Sequence, residues 1–199
     1  MATSFPVSLE ALLARQSVDA PQAPAPQGEI LNAILKSALC APDHGRIRPW
    51  RFVVIDGQKN CAILGKKIAQ AAHRQNEEIG EKKLGRLERR FADAPMAIAI
   101  GAEYLPDCAI PRSEQEYSVA AGAMNILNAL SFSGFGGVWV SGAYGEDAQL
   151  RQELGLSEDP LKGGLLGFLL VGSEPERMKG LGPKKRPALE DHVLHWPKA

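Results

Sequence analysis

Cysteine is scarce in this chain: Cys40, Cys61 and Cys108 are far apart, odd in number and form no C-x-x-C pair. That spacing disfavours a disulfide framework and a zinc centre, and a reducing compartment is the expectation. Net charge is absent too. Lys plus Arg and Asp plus Glu both number 23, so no long-range field recruits nucleic acid or an anionic membrane, although a local basic patch remains allowed. No clean membrane span exists, because Asn125, Asn128 and several Ser and Gly dilute the most apolar run. The opening M-A-T-S-F-P-V lacks the charged-then-apolar pattern of a secretory signal, so a cytoplasmic protein is expected. Also missing are G-x-G-x-x-G, the P-loop, G-x-S-x-G and H-E-x-x-H. His44, His73, His192 and His195 sit at no convincing metal-ligand spacing, so neither a hydrolase nor a metalloenzyme is expected and no metal is assigned.

What is present is a core stretch. Between Tyr117 and Gly142 there is no charged residue, in a chain that is otherwise 23% charged. Val119, Met124, Ile126, Leu127, Leu130 and Phe132 surround most of a helical wheel, leaving Ser118, Asn125 and Asn128 as a narrow polar stripe. Such a helix is expected to be buried. Ser113 with Glu116 resembles a capping box at its start, Gly134 is a natural stop, and the run from Ala120 to Ala123 is small enough for another backbone to approach. Gly136-Gly137-Val138-Trp139-Val140 then reads as a buried strand.

The 199 residues suit one domain with a sizeable core. A short helix capped by Ser8 carries Leu9, Leu12 and Leu13 on one face, and a proline-rich loop follows. A second helix through Ile30, Ile34 and Ala38 ends by Pro42. Strands are expected over 51–55, 95–100 and 164–171, with helix over 58–93 broken or kinked near Gly80 and a short helix over 146–154. Four strands among five or six helices predict an α+β or three-layer α/β domain.

Three local features carry chemistry. Arg15-x-Ser17 supplies a planar cationic donor and a hydroxyl, as a phosphate needs, though taken alone a solvated Arg and a turn Ser is the better account of it. Ala41-Pro42-Asp43-His44 with Arg46, Arg48 and Pro49-Trp50 is either a binding loop or a loop anchored by its Trp. Lys184-Lys185-Arg186-Pro187 is a basic patch or a solvated tail.

In their order, these motifs resemble the nitroreductase family of FMN-dependent oxidoreductases. The likeness is greatest to its small YdjA-type members, which carry A-P-D-H and G-F-G-G-x-W-x-S-G, as residues 41–44 and 134–142 do here. The resemblance covers nearly the whole chain and implies a single FMN-binding domain over residues 1–199. It implies an α+β fold with a central, mostly antiparallel sheet, a long buried core helix, and an intertwined homodimer with FMN at both subunit interfaces. By position, Arg15, Gln16 and Ser17 would hold the ribityl phosphate, joined by Lys184 and Arg186. Cys40 and His44 would line the flavin from the partner subunit, and Trp139, Val140 and Ser141 would lie along the ring. Nicotinamide contact is suggested over residues 129–134.

The implied activity is ping-pong. NAD(P)H is the co-substrate, giving hydride to the flavin, and a small electron-poor acceptor such as a nitroaromatic or quinone then takes its place. The flavin does this chemistry, so no catalytic side chain is assigned. Two departures stand out: the usual R-R-S is Arg15-Gln16-Ser17, and Arg48 stands where Gln is common, so flavin affinity or potential is open to change. Two other readings remain at this stage. One is a same-fold FMN protein that cleaves flavin or dehalogenates a substrate, and the other is a dimeric binding protein with a decayed flavin site.

Overall fold

The computed structural model describes residues 7–178 and 184–196. Strands β1 (Trp50–Asp56), β2 (Met96–Glu103), β3 (Gly136–Val140) and β4 (Gly163–Gly172) form one sheet in the order β1-β2-β4-β3. Every neighbouring pair is antiparallel. Helices α2 (Gly28–Ala38) and α5 (Arg112–Phe132) cover one face; α3 (Gln58–Gln75), α4 (Glu81–Ala92) and α6 (Ala148–Glu153) cover the other. Helix α1 (Val7–Ala14) packs on α5. Ser8 therefore lies in the first turn of α1 rather than before it.

The central strand β2 shows how sequence makes this sandwich. Met96, Ile98 and Ile100 face α5 while Ala97 and Ala99 face α3, so its two sides supply two cores. In β4 the alternation breaks: Ile100 pairs with Gly167, but Gly101 pairs with Leu165. The skipped Leu166 makes a β-bulge, which puts Leu165 and Phe168 on one face despite their odd separation. Phe168 then meets Phe91 edge-on at 5.2 Å in the α3 core.

The long helix differs from expectation in its start and in its burial. Its first residue is Arg112 and Pro111 flanks it with no side-chain cap, so the Ser113–Glu116 capping box does not form. Glu116 is instead taken by Arg112 at 2.8 Å and by the Tyr104 hydroxyl at 2.9 Å, charge-assisted bonds that outcompete a backbone amide. The small-residue run does admit another backbone, that of α2 in the same chain: a side chain on Gly122 would lie 3.2 Å from the Ala38 carbonyl. And α5 is not buried all round, since Tyr117 and Phe132 are 69% and 53% exposed. Its stop behaves as read. Gly134 takes φ 78°, and the amides of Gly134 and Phe135 return to the carbonyls of Ser131 and Leu130. Elsewhere Ile63 turns outward, 53% exposed, while Leu64 and Ile68 fill the core. Helices α3 and α4 are separate elements on either side of Gly80.

Candidate functional site

The turn after α1 is tied to the sheet edge. The Val18 amide donates to the Gly137 carbonyl at 3.1 Å, and Val18 lies across Gly136, where any Cβ would sit 2.4 Å from it. Residues 15–17 are thereby held beside β3. The tail folds back onto the same turn. Arg186 donates a guanidinium hydrogen bond to the Arg15 carbonyl, and the Lys184 amide donates to Gln16 Oε1 at 3.4 Å. Arg15 and Arg186 become neighbours across 171 residues of sequence. Burial, and then the charge of Arg186, make the Arg15 guanidinium easier to deprotonate than usual. Among the described residues no carboxylate pairs with Arg15, Lys184 or Arg186. Clustered guanidiniums with a hydroxyl nearby form a donor set that fits a phosphate dianion.

Next along the edge stand Trp139, Val140 and Ser141. The Trp139 indole donates to the Leu166 carbonyl at 3.2 Å, the residue that the bulge sets apart. Gly167 makes the arrangement possible: its φ is 134°, and a Cβ would lie 2.4 Å from the Val140 carbonyl and 2.8 Å from Trp139 Nε1. Ser141 is exposed. Val140 is buried in the α3 core, so only its backbone faces the edge. Gly167 escaped the sequence reading because nothing local distinguishes it from the other glycines of a buried strand.

The loop that holds Cys40 and His44 is fixed by the polar stripe of α5. Ser118 Oγ donates to the Pro42 carbonyl at 2.6 Å, Trp50 Nε1 to the Ser118 carbonyl at 3.0 Å, and Asn125 to the Ser37 carbonyl at 3.1 Å. His44 Nδ1 lies 2.6 Å from Glu114 Oε2, which fixes the ring and leaves Nε2 for another partner. Glu114 was not foreseen, being 70 residues away. Cys40 is exposed on a groove of about 530 Å³ between α1 and α5, lined also by Leu9, Leu12, Asn128 and Phe132.

The pieces therefore form two half-sites in one chain. The Arg15 turn and β3 lie at the C-terminal end of α5, whereas His44 lies at its N-terminal end, roughly 20 Å away at 1.5 Å per residue. Among the described residues no helix is long and apolar enough to cross a membrane, and no cluster of three or more His, Cys, Asp or Glu is placed to hold a metal ion.

A three-layer α+β domain with a cationic cradle at its sheet edge and a loop braced on a central helix is the class that these features define. The chain belongs to the nitroreductase family, whose model matches residues 15–173. It is 32% identical over 169 residues to YdjA of Escherichia coli (strain K12), provisionally named an NAD(P)H nitroreductase, covering 83% of this chain and 87% of that one. A similarly named protein of Haemophilus influenzae is 30% identical over 174 residues, 85% of this chain and 90% of the other. Among solved structures, a provisionally named nitroreductase in complex with FMN from Desulfovibrio desulfuricans superposes with TM-score 0.73 over 98% of this chain and 100% of that one. Its 20% identity speaks for the fold alone.

Proposed function

We propose that this chain is an FMN-dependent oxidoreductase that uses NAD(P)H to reduce a small electron-poor acceptor, working as a homodimer in the cytoplasm. The observation that carries this reading is the meeting of Arg15 and Arg186 with no carboxylate partner among the described residues, in a family where YdjA bears an NAD(P)H nitroreductase name. Residues 1–199 would form one FMN-binding domain. Bound FMN would supply hydride transfer between the nicotinamide and the acceptor. The chain's own part is to bind and orient. Arg15, Ser17, Lys184 and Arg186 would hold the phosphate, with Gln16 anchoring the tail through Lys184. Trp139, the Val140 backbone and Ser141 would flank the ring.

The two half-sites support a dimer. A two-fold axis near the middle of α5 sets the N-terminal end of one helix beside the C-terminal end of its mate. His44 of one protomer would then complete the cradle of the other, while Cys40 lines the groove beside the C-terminal half of α5 with Asn128 and Phe132. Apolar surface favours the same arrangement: Tyr117, Phe132, Leu12 and Leu13 are exposed on α5 and α1, and Leu194 and Trp196 on the tail are 90% and 94% exposed. The reading is tested by anaerobic titration of the purified protein with NADH and NADPH, followed by nitroaromatic and quinone acceptors. Bleaching of the flavin and re-oxidation by an acceptor are expected. Protein that binds no FMN, or binds FMN that neither nicotinamide reduces, would overturn it.

A further inference from the structure

We propose that Arg46 and Arg48 form an anion-reading lip at the flavin cleft, selecting entering molecules that carry a carboxylate, sulfonate or phosphate; this rests on the oxidoreductase reading above. The loop over residues 43–48 is built in an uncommon way. Of the three described non-glycine residues with positive φ, two are Arg46 and Arg48, each at 56°. Long side chains rarely adopt that conformation because the Cβ crowds the backbone. Glycine or asparagine would fill such positions at little cost, so arginine there points to work done by the side chain.

Three anchors hold the strained backbone. The Asp43 carboxylate accepts the Ile47 and Arg48 amides at 3.1 and 3.0 Å. Gly45, at φ 68°, sits on Ile110 so closely that a Cβ would lie 2.3 Å from its Cδ1. Arg51 donates to the carbonyls of Arg48 and Trp50 at 3.1 and 2.8 Å, closing the exit of the loop. The neighbouring basic groups are paired, His44 with Glu114 and Arg51 with Glu103. Arg46 and Arg48 are exposed, and among the described residues no carboxylate pairs with either. A rigid loop thus presents two unpaired guanidiniums, whose planar forks match carboxylate, sulfonate or phosphate oxygens. They follow His44, the proposed contact to the flavin, within the same loop.

The test compares FMN-loaded wild-type protein with the Arg46→Asn/Arg48→Asn variant, because asparagine tolerates the left-handed backbone and carries no charge. Titration calorimetry with 4-nitrobenzoate and its neutral methyl ester gives equilibrium binding, and KM is measured for NADPH and NADH. A loss of about tenfold or more is expected for 4-nitrobenzoate, with the methyl ester unchanged, and the difference should shrink in high salt. A comparable loss confined to NADPH supports the lip as well and assigns the anion to the nicotinamide 2′-phosphate. Wild-type and variant protein that treat both pairs alike, or wild-type protein that favours neither anionic member, overturns the proposal. Should neither nicotinamide reduce the flavin while the selective loss of 4-nitrobenzoate binding persists, the oxidoreductase reading falls and the lip stands.

Discussion

Replacing Arg15 with Ala separates a ligand-binding role from a structural one. In the folded chain this guanidinium is partly desolvated beside Arg186 and has no carboxylate partner among the described residues, so its position is unfavourable to the protein alone. Removing it relieves the repulsion, and because the tail contacts its backbone carbonyl rather than its side chain, the anchor survives. The melting temperature of the FMN-free protein should hold or rise. FMN binding should suffer, because a phosphate dianion loses a charge-assisted partner, a change of about 1.5–3 kcal/mol. That corresponds to roughly a 10- to 150-fold weaker Kd, measured by flavin fluorescence in phosphate-free buffer. Riboflavin, which lacks the phosphate, should be nearly indifferent. Arg186→Ala should follow the same pattern, with greater loss if the tail also loosens. Equal loss of riboflavin and FMN affinity would refute the phosphate role and leave a merely structural one; no loss of either would remove both residues from the site.

Two further perturbations address assembly and acid stability. Phe132→Lys alters an exposed ring in the last turn of α5, where a cation suits the helix dipole, so the protomer should stay folded while light scattering shows monomer and flavin is lost. A persistent FMN-loaded dimer would exclude this end of α5 from the interface. Asp147 is held below the ordinary carboxylate range, chiefly by the two 2.8 Å bonds from Arg74 and also by the Leu150 amide that it caps. A depressed folded-state pKa gives stability that is present above the unfolded value of ~3.9 and is lost as pH falls through the folded one. Unfolding free energies of wild-type and Asp147→Asn protein from urea titration should therefore differ by about 1–3 kcal/mol near pH 7 and converge in acid; a constant gap would refute the assignment.

Much of the architecture was legible because it depends on local periodicity. The uncharged run after Tyr117, the helix stop at Gly134 and the short buried strands are each written in consecutive residues, and the sandwich follows from having to cover both faces of a strand such as β2. Resemblance to the nitroreductase family brought Arg15, Ser17, Cys40, His44, Trp139, Lys184 and Arg186 forward as a set. Which of them meet was a matter for the tertiary structure alone. Only folding sets Arg186 against the Arg15 carbonyl, Glu114 against His44 and the Leu166 carbonyl under Trp139, since each pairing spans at least 27 residues. The expected capping box failed for a more local reason: Glu116 is taken by Arg112 one turn earlier on the same helix and by the Tyr104 hydroxyl, twelve residues back. Gly122, read as a surface for any approaching backbone, is occupied by α2, and the apolar surface left uncovered runs instead through Tyr117 and Phe132. Sequence determines which faces are apolar; the chain's own packing decides which of them remain for a partner, because each helix covers its nearest neighbour first.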